Sequence, residues 1–315
     1  MNKLAAVLIL TIFSFFVSPC HAGVSPLRLS IMGGMFSGKG FFYGTLPYNI
    51  STVYGIDFGI IGAKIDTAYG LQTSLVCVSN VTAGAQIAPV LSISENVVGA
   101  QLSGIISHSK RGLTGLQAAG MAAVAVDGDM NGIQLAGWGC VNNMSFNGLQ
   151  SALAIVYAEE MRGIQAAGVY AKINKEMNGL QLSFLAAYAE HINGIQLAGF
   201  AGGGSVNGLS VISIRLNSYQ QRESNGLVLS AVSLGKSISG NDFYAVSGVQ
   251  ISGINLFTGK VRGVQIGVIN ITEKVKGVQI GVINYARELK GVQIGLINIA
   301  ENALMPMLPV ADFKF

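Results

Sequence analysis

The sequence predicts an all-β chain assembled from short repeats, and three observations carry that prediction. A phrase of the form Gly-apolar-Gln-apolar-small recurs sixteen times, its lead glycines at 55, 70, 84, 99, 115, 132, 148, 163, 179, 194, 208, 226, 248, 263, 277 and 291. Most steps are 14 to 17 residues, with two longer ones of 18 and 22, and a fixed short period marks a repeat architecture. Positions 2 and 4 of the phrase are almost always apolar and position 3 is Gln in 13 of 16 copies. That alternation has the two-residue period of a strand. Glycine makes up 42 of 315 residues, and Val and Ile are enriched in the C-terminal third, which disfavours helix and suits strand.

Taken in chain order, residues 1–22 read as a secretory signal. Lys3 supplies the positive start, Leu4 to Val17 the apolar run, and Cys20-His21-Ala22 a cleavage site before Gly23. A lipoprotein reading would modify Cys20, but Pro19 directly before it spoils the motif. An uncleaved anchor is disfavoured because the run is short and soon followed by Ser, Pro and Gly. Leu27-Arg-Leu-Ser-Ile-Met32 is expected to form a first strand. Gly33-Gly-Met-Phe-Ser-Gly38-Lys39-Gly40 resembles a phosphate loop, yet Gly40 stands where a metal-binding Ser or Thr is needed. A plain loop is the better reading.

The repeats then run from about 55 to 304 as one domain, 23–315. Each holds nine to eleven strand-like residues and a polar cluster, such as Glu159-Glu160-Met-Arg162 or Arg287-Glu288. Six copies open with Asn-Gly, at 131, 147, 178, 193, 207 and 225, which predicts tight antiparallel hairpin turns. Longer insertions stand at 35–50, 216–225 and 235–247. A closing strand is expected over about 307–315, with Ala311 and Phe313 on one face and a terminal aromatic, Phe315.

Charge placement selects among β architectures. Of the 144 positions in the first nine residues of all copies, only Asp57 and Arg215 are charged. The water-facing side of a soluble sheet normally carries charge. Charge-free segments of about 10 residues between polar turns are what an outer-membrane barrel needs. One strand before the repeats, sixteen within them and one after predict an antiparallel outer-membrane β-barrel of about 18 strands. The alternative is a β-solenoid of about 16 coils. Positions 6 and 7 break the alternation in a way a barrel lumen does not explain. Parallel stacking would also make every copy equivalent and align the Gln, with Asn270, Asn284 and Asn298, into ladders.

The tandem Gly263-Val-Gln-Ile-Gly-Val-Ile-Asn270, repeated at 277–284 and as Gly291-Val-Gln-Ile-Gly-Leu-Ile-Asn298, resembles the surface repeat-containing proteins of leptospires and other Gram-negative bacteria. So do the earlier Asn-Gly-Ile-Gln-Leu-Ala-Gly versions and a closing Pro-Met-Leu-Pro-Val segment. The resemblance spans about Leu27 to Phe315 and implies a cell-surface or outer-membrane location and no reaction. Asp57, Ser210 and Val228 depart from it by replacing the Gln, and the 208–247 stretch departs in its spacing.

Little chemistry is advertised. Net charge of +4 is small and scattered, without the basic stripe and interleaved aromatics of a nucleic-acid binder. No catalytic, cofactor-binding or metal-ligating set is expected. His108 and His191 stand alone, and Glu159-Glu160 and Asp127/Asp129 read as solvated turn carboxylates rather than a calcium site. Cys77 and Cys140 read as buried small residues, since two cysteines in a chain this long make no disulfide framework. One polar feature recurs: the column Gln72, Gln86, Gln101, Gln117, Gln134, Gln150, Gln165, Gln181, Gln196, Gln250, Gln265, Gln279 and Gln293, with Asp57 and Arg215 as the in-strand charges. These residues are expected either to line a lumen or to form a hydrogen-bond ladder. The functional expectation is a non-enzymatic outer-membrane protein, a passive pore or structural surface element. Its partners would be outer-membrane lipid and the barrel-assembly machinery that reads Phe315. The alternative is an exported solenoid acting as adhesin or interaction scaffold.

Overall fold

The computed structural model describes residues 24–33, 52–219, 225–237, 244–303 and 307–314. The expected signal, the phosphate-like loop beyond Gly33, Phe315 and most of the three insertions lie outside those residues. Two compact units divide at Gly137 and Trp138.

The first unit holds β1 (Val24–Gly33), β2 (Thr52–Thr73), β3 (Val76–Ala88), β4 (Leu91–Ser103), β5 (Ile106–Ala119), β6 (Ala122–Ala125) and β7 (Met130–Ala136). The second holds β8 (Gly139–Ala152), β9 (Ile155–Ala167), β10 (Tyr170–Tyr219), β11 (Leu227–Ser237), β12 (Tyr244–Val246), β13 (Val249–Ile266), β14 (Ile269–Ile280), β15 (Ile283–Ala300) and β16 (Met307–Lys314). From β1 through β5 each strand pairs parallel with the next, and β6 and β7 together cover β5. In the second unit β8, β9, β10, β11, β13, β14 and β15 do the same. Each unit is a parallel β-solenoid.

The expected antiparallel barrel is therefore corrected to its alternative, and the register shows why. Gly70, Gly84, Gly99, Gly115 and Gly132 stand side by side, as do Gly263, Gly277 and Gly291. Antiparallel neighbours would run the phrase in opposite directions and could not set Gln on Gln. The Asn-Gly pairs are not hairpin turns but corners. At Gly84, with φ at 137°, an added Cβ would sit 2.2 Å from the Gly70 carbonyl oxygen. Only glycine accepts that backbone, and only glycine leaves room for the turn beneath it.

One turn illustrates the cross-section. Gln86, Ala88, Ser92, Ser94 and Val97 point inward and are buried. Corners fall at Pro89-Val90, at the register shift between Ser94 and Asn96, and at Gly99. Strict alternation fails at positions 6 and 7 because the chain bends there. The expected first strand is present as β1, parallel to β2. The expected closing strand is present as β16, but it runs antiparallel to β15. That reversal ends the parallel stack and covers an edge that would otherwise offer open backbone groups.

Candidate functional site

The interior takes up the polar column. Gln86 Nε2 donates to Gln72 Oε1 at 2.8 Å, Gln101 to Gln86 at 2.9 Å, Gln117 to Gln101 at 3.0 Å and Gln134 to Gln117 at 2.8 Å. In the second unit Gln165 donates to Gln150, Gln181 to Gln165 and Gln196 to Gln181. Further on, Gln265 donates to Gln250, Gln279 to Gln265 and Gln293 to Gln279. The second Nε2 proton crosses the interior to a backbone carbonyl seven residues on, as from Gln101 to His108 and from Gln150 to Tyr157. That carbonyl fixes which end of each amide is nitrogen. All thirteen Gln are buried, so these runs form ladders and line no solvent-filled lumen.

Asp57 and Arg215 are buried as well. Asp57 replaces Gln at the N-terminal end of the ladder, where its Oδ2 accepts from Gln72 Nε2 at 3.1 Å. An acceptor-only side chain suits that end, because every Gln above it donates downward. Arg215 stands outside the Gln column. It lies in register with Ser233, within the segment where Ser210 and Val228 interrupt the ladder. There Ser210 Oγ donates to Gln196 Oε1, and the ladder restarts with Gln250 Nε2 on Ser233 Oγ.

The last turns carry a second ladder of opposite sense. Asn255 Nδ2 donates to Asn270 Oδ1, Asn270 to Asn284 and Asn284 to Asn298, each at 2.8 Å. Gln amides donate toward the N-terminus and Asn amides toward the C-terminus. The ends agree with those senses: Gln293 Oε1 and Asn255 Oδ1, the acceptor ends of the two ladders, are among the buried acceptors that bond no neighbour in the described residues. Asn298 passes its Nδ2 on to the Leu308 carbonyl of β16 at 3.2 Å.

Nucleophiles and titratable groups sit in structural settings. Cys77 and Cys140 are buried and form no disulfide. Burial pushes the Cys77 thiol up to about 11, with contacts to Ser74 pulling back. Burial pushes Cys140 up to about 12, opposed by the Ser151 backbone. Burial lowers His108 first and Lys110 next, with Asp127 opposing. His191 Nδ1 lies 2.9 Å from Ser205 Oγ. The Glu159 carboxyl is held low first by Asn174, which bonds it at 2.8 Å, then by Tyr157 and Lys175 against the cost of burial. Lys175 also reaches Glu160 at 3.5 Å. No group of three or more His, Cys, Asp and Glu suited to a metal ion occurs among the described residues.

The unusual chemistry lies outside. Positions 2, 4 and 6 or 7 point outward and are almost all apolar along both units, Thr73 and Ser151 being exceptions at position 4: Ile56, Phe58 and Ile60 are exposed in the first, Ile251, Ile280 and Ile294 in the second. Side chains at the outer corner are the most open, with Trp138 at 66%, Leu296 at 69%, Leu153 at 77% and Phe184 at 88% of full exposure. Among the last turns the glycines 253, 267, 281 and 295 floor a shallow groove. Ile251, Ile266, Ile280 and Ile294 form one wall, Val268, Val282 and Leu296 the other, and Val310 of β16 stands against it. The residue before each lead glycine edges this face and changes along the chain. Tyr54 and Tyr69 stack at 4.7 Å. Asn178, Asn193 and Asn207 form an outer amide ladder at 3.0–3.1 Å. Arg262, Lys276 and Lys290 stand in register on successive turns.

No protein-family model, no curated protein and no solved structure matches the chain. Sequence reasoning reaches the Gln column, and its solenoid alternative reaches a repetitive partner-binding face without naming the residues on it. Its signal was already present in the charge-free strands, whose outward half was assigned to lipid in a closed barrel.

Proposed function

We propose that this chain is an exported, non-catalytic β-solenoid scaffold that works by laying its apolar outer face on a partner. One observation carries the reading: the Gln and Asn side chains are bonded to one another inside, while a row of large apolar ones stands exposed outside. Soluble monomers rarely expose contiguous apolar area beyond a few hundred Å². A face renewed at every turn exceeds that and calls for cover. The signal-like residues 1–22 and the resemblance to surface repeat proteins support export to the cell surface. The passive-pore reading loses its basis, because the Gln column is sealed within the turns.

Fractionation of a Gram-negative host expressing the full chain tests this. The protein is expected with the envelope, released by urea or mild detergent, and unchanged in gel migration by boiling. Leu153→Glu with Phe184→Glu should move it to the soluble fraction in 0.5 M salt, without altering its far-UV circular dichroism. A heat-modifiable band that resists urea, or envelope retention of the double variant in 0.5 M salt, would overturn the docking face.

A further inference from the structure

We infer that the last turns of the second unit, 249–303, dock on an anionic phospholipid bilayer, the hydrocarbon meeting the glycine-floored groove and the headgroups meeting Arg262, Lys276 and Lys290. This rests on the proposal that the outer face is a docking surface and names what covers it here.

Charge complementarity carries the choice. The segment 249–303 holds six cations and three carboxylates. The carboxylates are engaged at the polar corner: Glu288 by Lys274 at 2.7 Å, and Glu273 and Glu301 by Arg287 at 3.9 Å. Lys290 and Lys260 also help to hold the Glu288 carboxyl low, after Lys274. Arg262, Lys276 and Lys290 are exposed, and each precedes its lead glycine by one residue. They therefore rise along the edge of the apolar face at the inter-strand spacing of about 4.8 Å. Lys276 and Lys290, like charges set side by side on neighbouring strands, repel, and a plane of phosphates relieves that repulsion. Cations beside exposed hydrocarbon are also the pattern of surfaces that lie in the headgroup layer.

The other occupants fit less well. A peptide strand laid in the groove would bury most of its backbone N–H and C=O groups without partners, because the lining is Ile, Val, Leu and Gly apart from Ser230 and Ser252. β16 occupies the edge on which a strand could add. A second copy would bring an identical cationic column to the interface with no acidic column to meet it.

Co-sedimentation of the mature chain with large unilamellar vesicles tests the inference, comparing pure phosphatidylcholine with a phosphatidylglycerol mixture. The expected result is binding to the anionic vesicles at low salt and release in 0.5 M salt. Lys276→Gln with Lys290→Gln should weaken that binding about thirtyfold, with the circular dichroism spectrum kept. Leu296→Gln with Ile280→Gln should weaken it with the cations intact. Equal binding to both vesicle types, or none to either, overturns the inference. A dimer in sedimentation velocity that the vesicles fail to dissociate overturns it in favour of a second copy. The scaffold proposal fails separately: envelope release of the Leu153→Glu, Phe184→Glu variant would sustain it even if the vesicles go unbound.

Discussion

The interiors of two stretches, 76–119 and 139–192, solve the same packing problem with different chemistry. In the first, hydroxyls fill the space: Ser79 Oγ lies 2.7 Å from Thr82 Oγ1 and 3.0 Å from Ser94 Oγ, and Ser92 and Ser107 share a bond at 3.0 Å. In the second, apolar bulk fills it, with Phe146, Met161, Ile173, Met177 and Ile192 buried beside Ala158, Ala171 and Ala189. The Gln ladder and the glycine corner are common to both. The comparison teaches that ladder and corner define the fold, while the remaining inward positions need only fill volume and satisfy their own polar atoms.

That comparison can be broken first in the apolar stretch. Met161→Ala should cost about 2–5 kcal/mol, because a rigid turn collapses poorly onto the void. Chemical denaturation would read it, and a loss below about 1 kcal/mol would mean the turns are compliant. Breaking the shared element should affect both stretches alike. Gln86→Leu strands Gln72 Oε1 and the Ile93 carbonyl, and Gln165→Leu strands Gln150 Oε1 and the Lys172 carbonyl. Each should cost about 1–3 kcal/mol per orphaned group. Unequal losses would show that the ladder matters more in one stretch. Ser94→Ala should cost least, about 1 kcal/mol, by the same denaturation.

The two thiols sharpen the contrast without a change of volume. Both fall above the ordinary value of 9.0, Cys77 to about 11 and Cys140 to about 12. A group whose folded pKa is raised stabilises below its unfolded pKa and loses that stabilisation as pH climbs through the folded one. Stability should therefore decline from about pH 9 upward, with the Cys77 contribution exhausted before that of Cys140. At pH 8.5 Ellman's reagent should label neither thiol until the chain unfolds. Rapid labelling of native protein would contradict their burial.

Much of this was legible in the residues. The period, the strand-like alternation and the Gln column predicted repeats and a ladder, and the ladder is what the side chains form. Parallel pairing was not legible, because Asn-Gly marks two different backbones. In a hairpin both residues take positive φ; here Asn178, Asn193 and Asn207 stack outside while the glycine alone turns. The barrel expectation came from the absence of charge on the strands. That absence reports apolar side chains pointing outward and says nothing of whether lipid surrounds them on all sides. Nor could the sequence show that Asp57 ends the ladder or that Arg215 is buried at its interruption, since both depend on which turn stacks on which.

The glycine corner has one more consequence. Among the last turns each lead glycine presents the same carbonyl to one side and the same bare Cα to the other, so the junctions at Gly277 and Gly291 resemble one another. Chain length is thereby quantised. Removing 277–290 would join Lys276 to Gly291 and set Gln293 over Gln265, closing the gap by one whole step without a seam. Copying errors in the encoding tract that add or delete a full repeat would lengthen or shorten the molecule and leave it folded, whereas an error of one or two residues would misalign everything stacked beyond it.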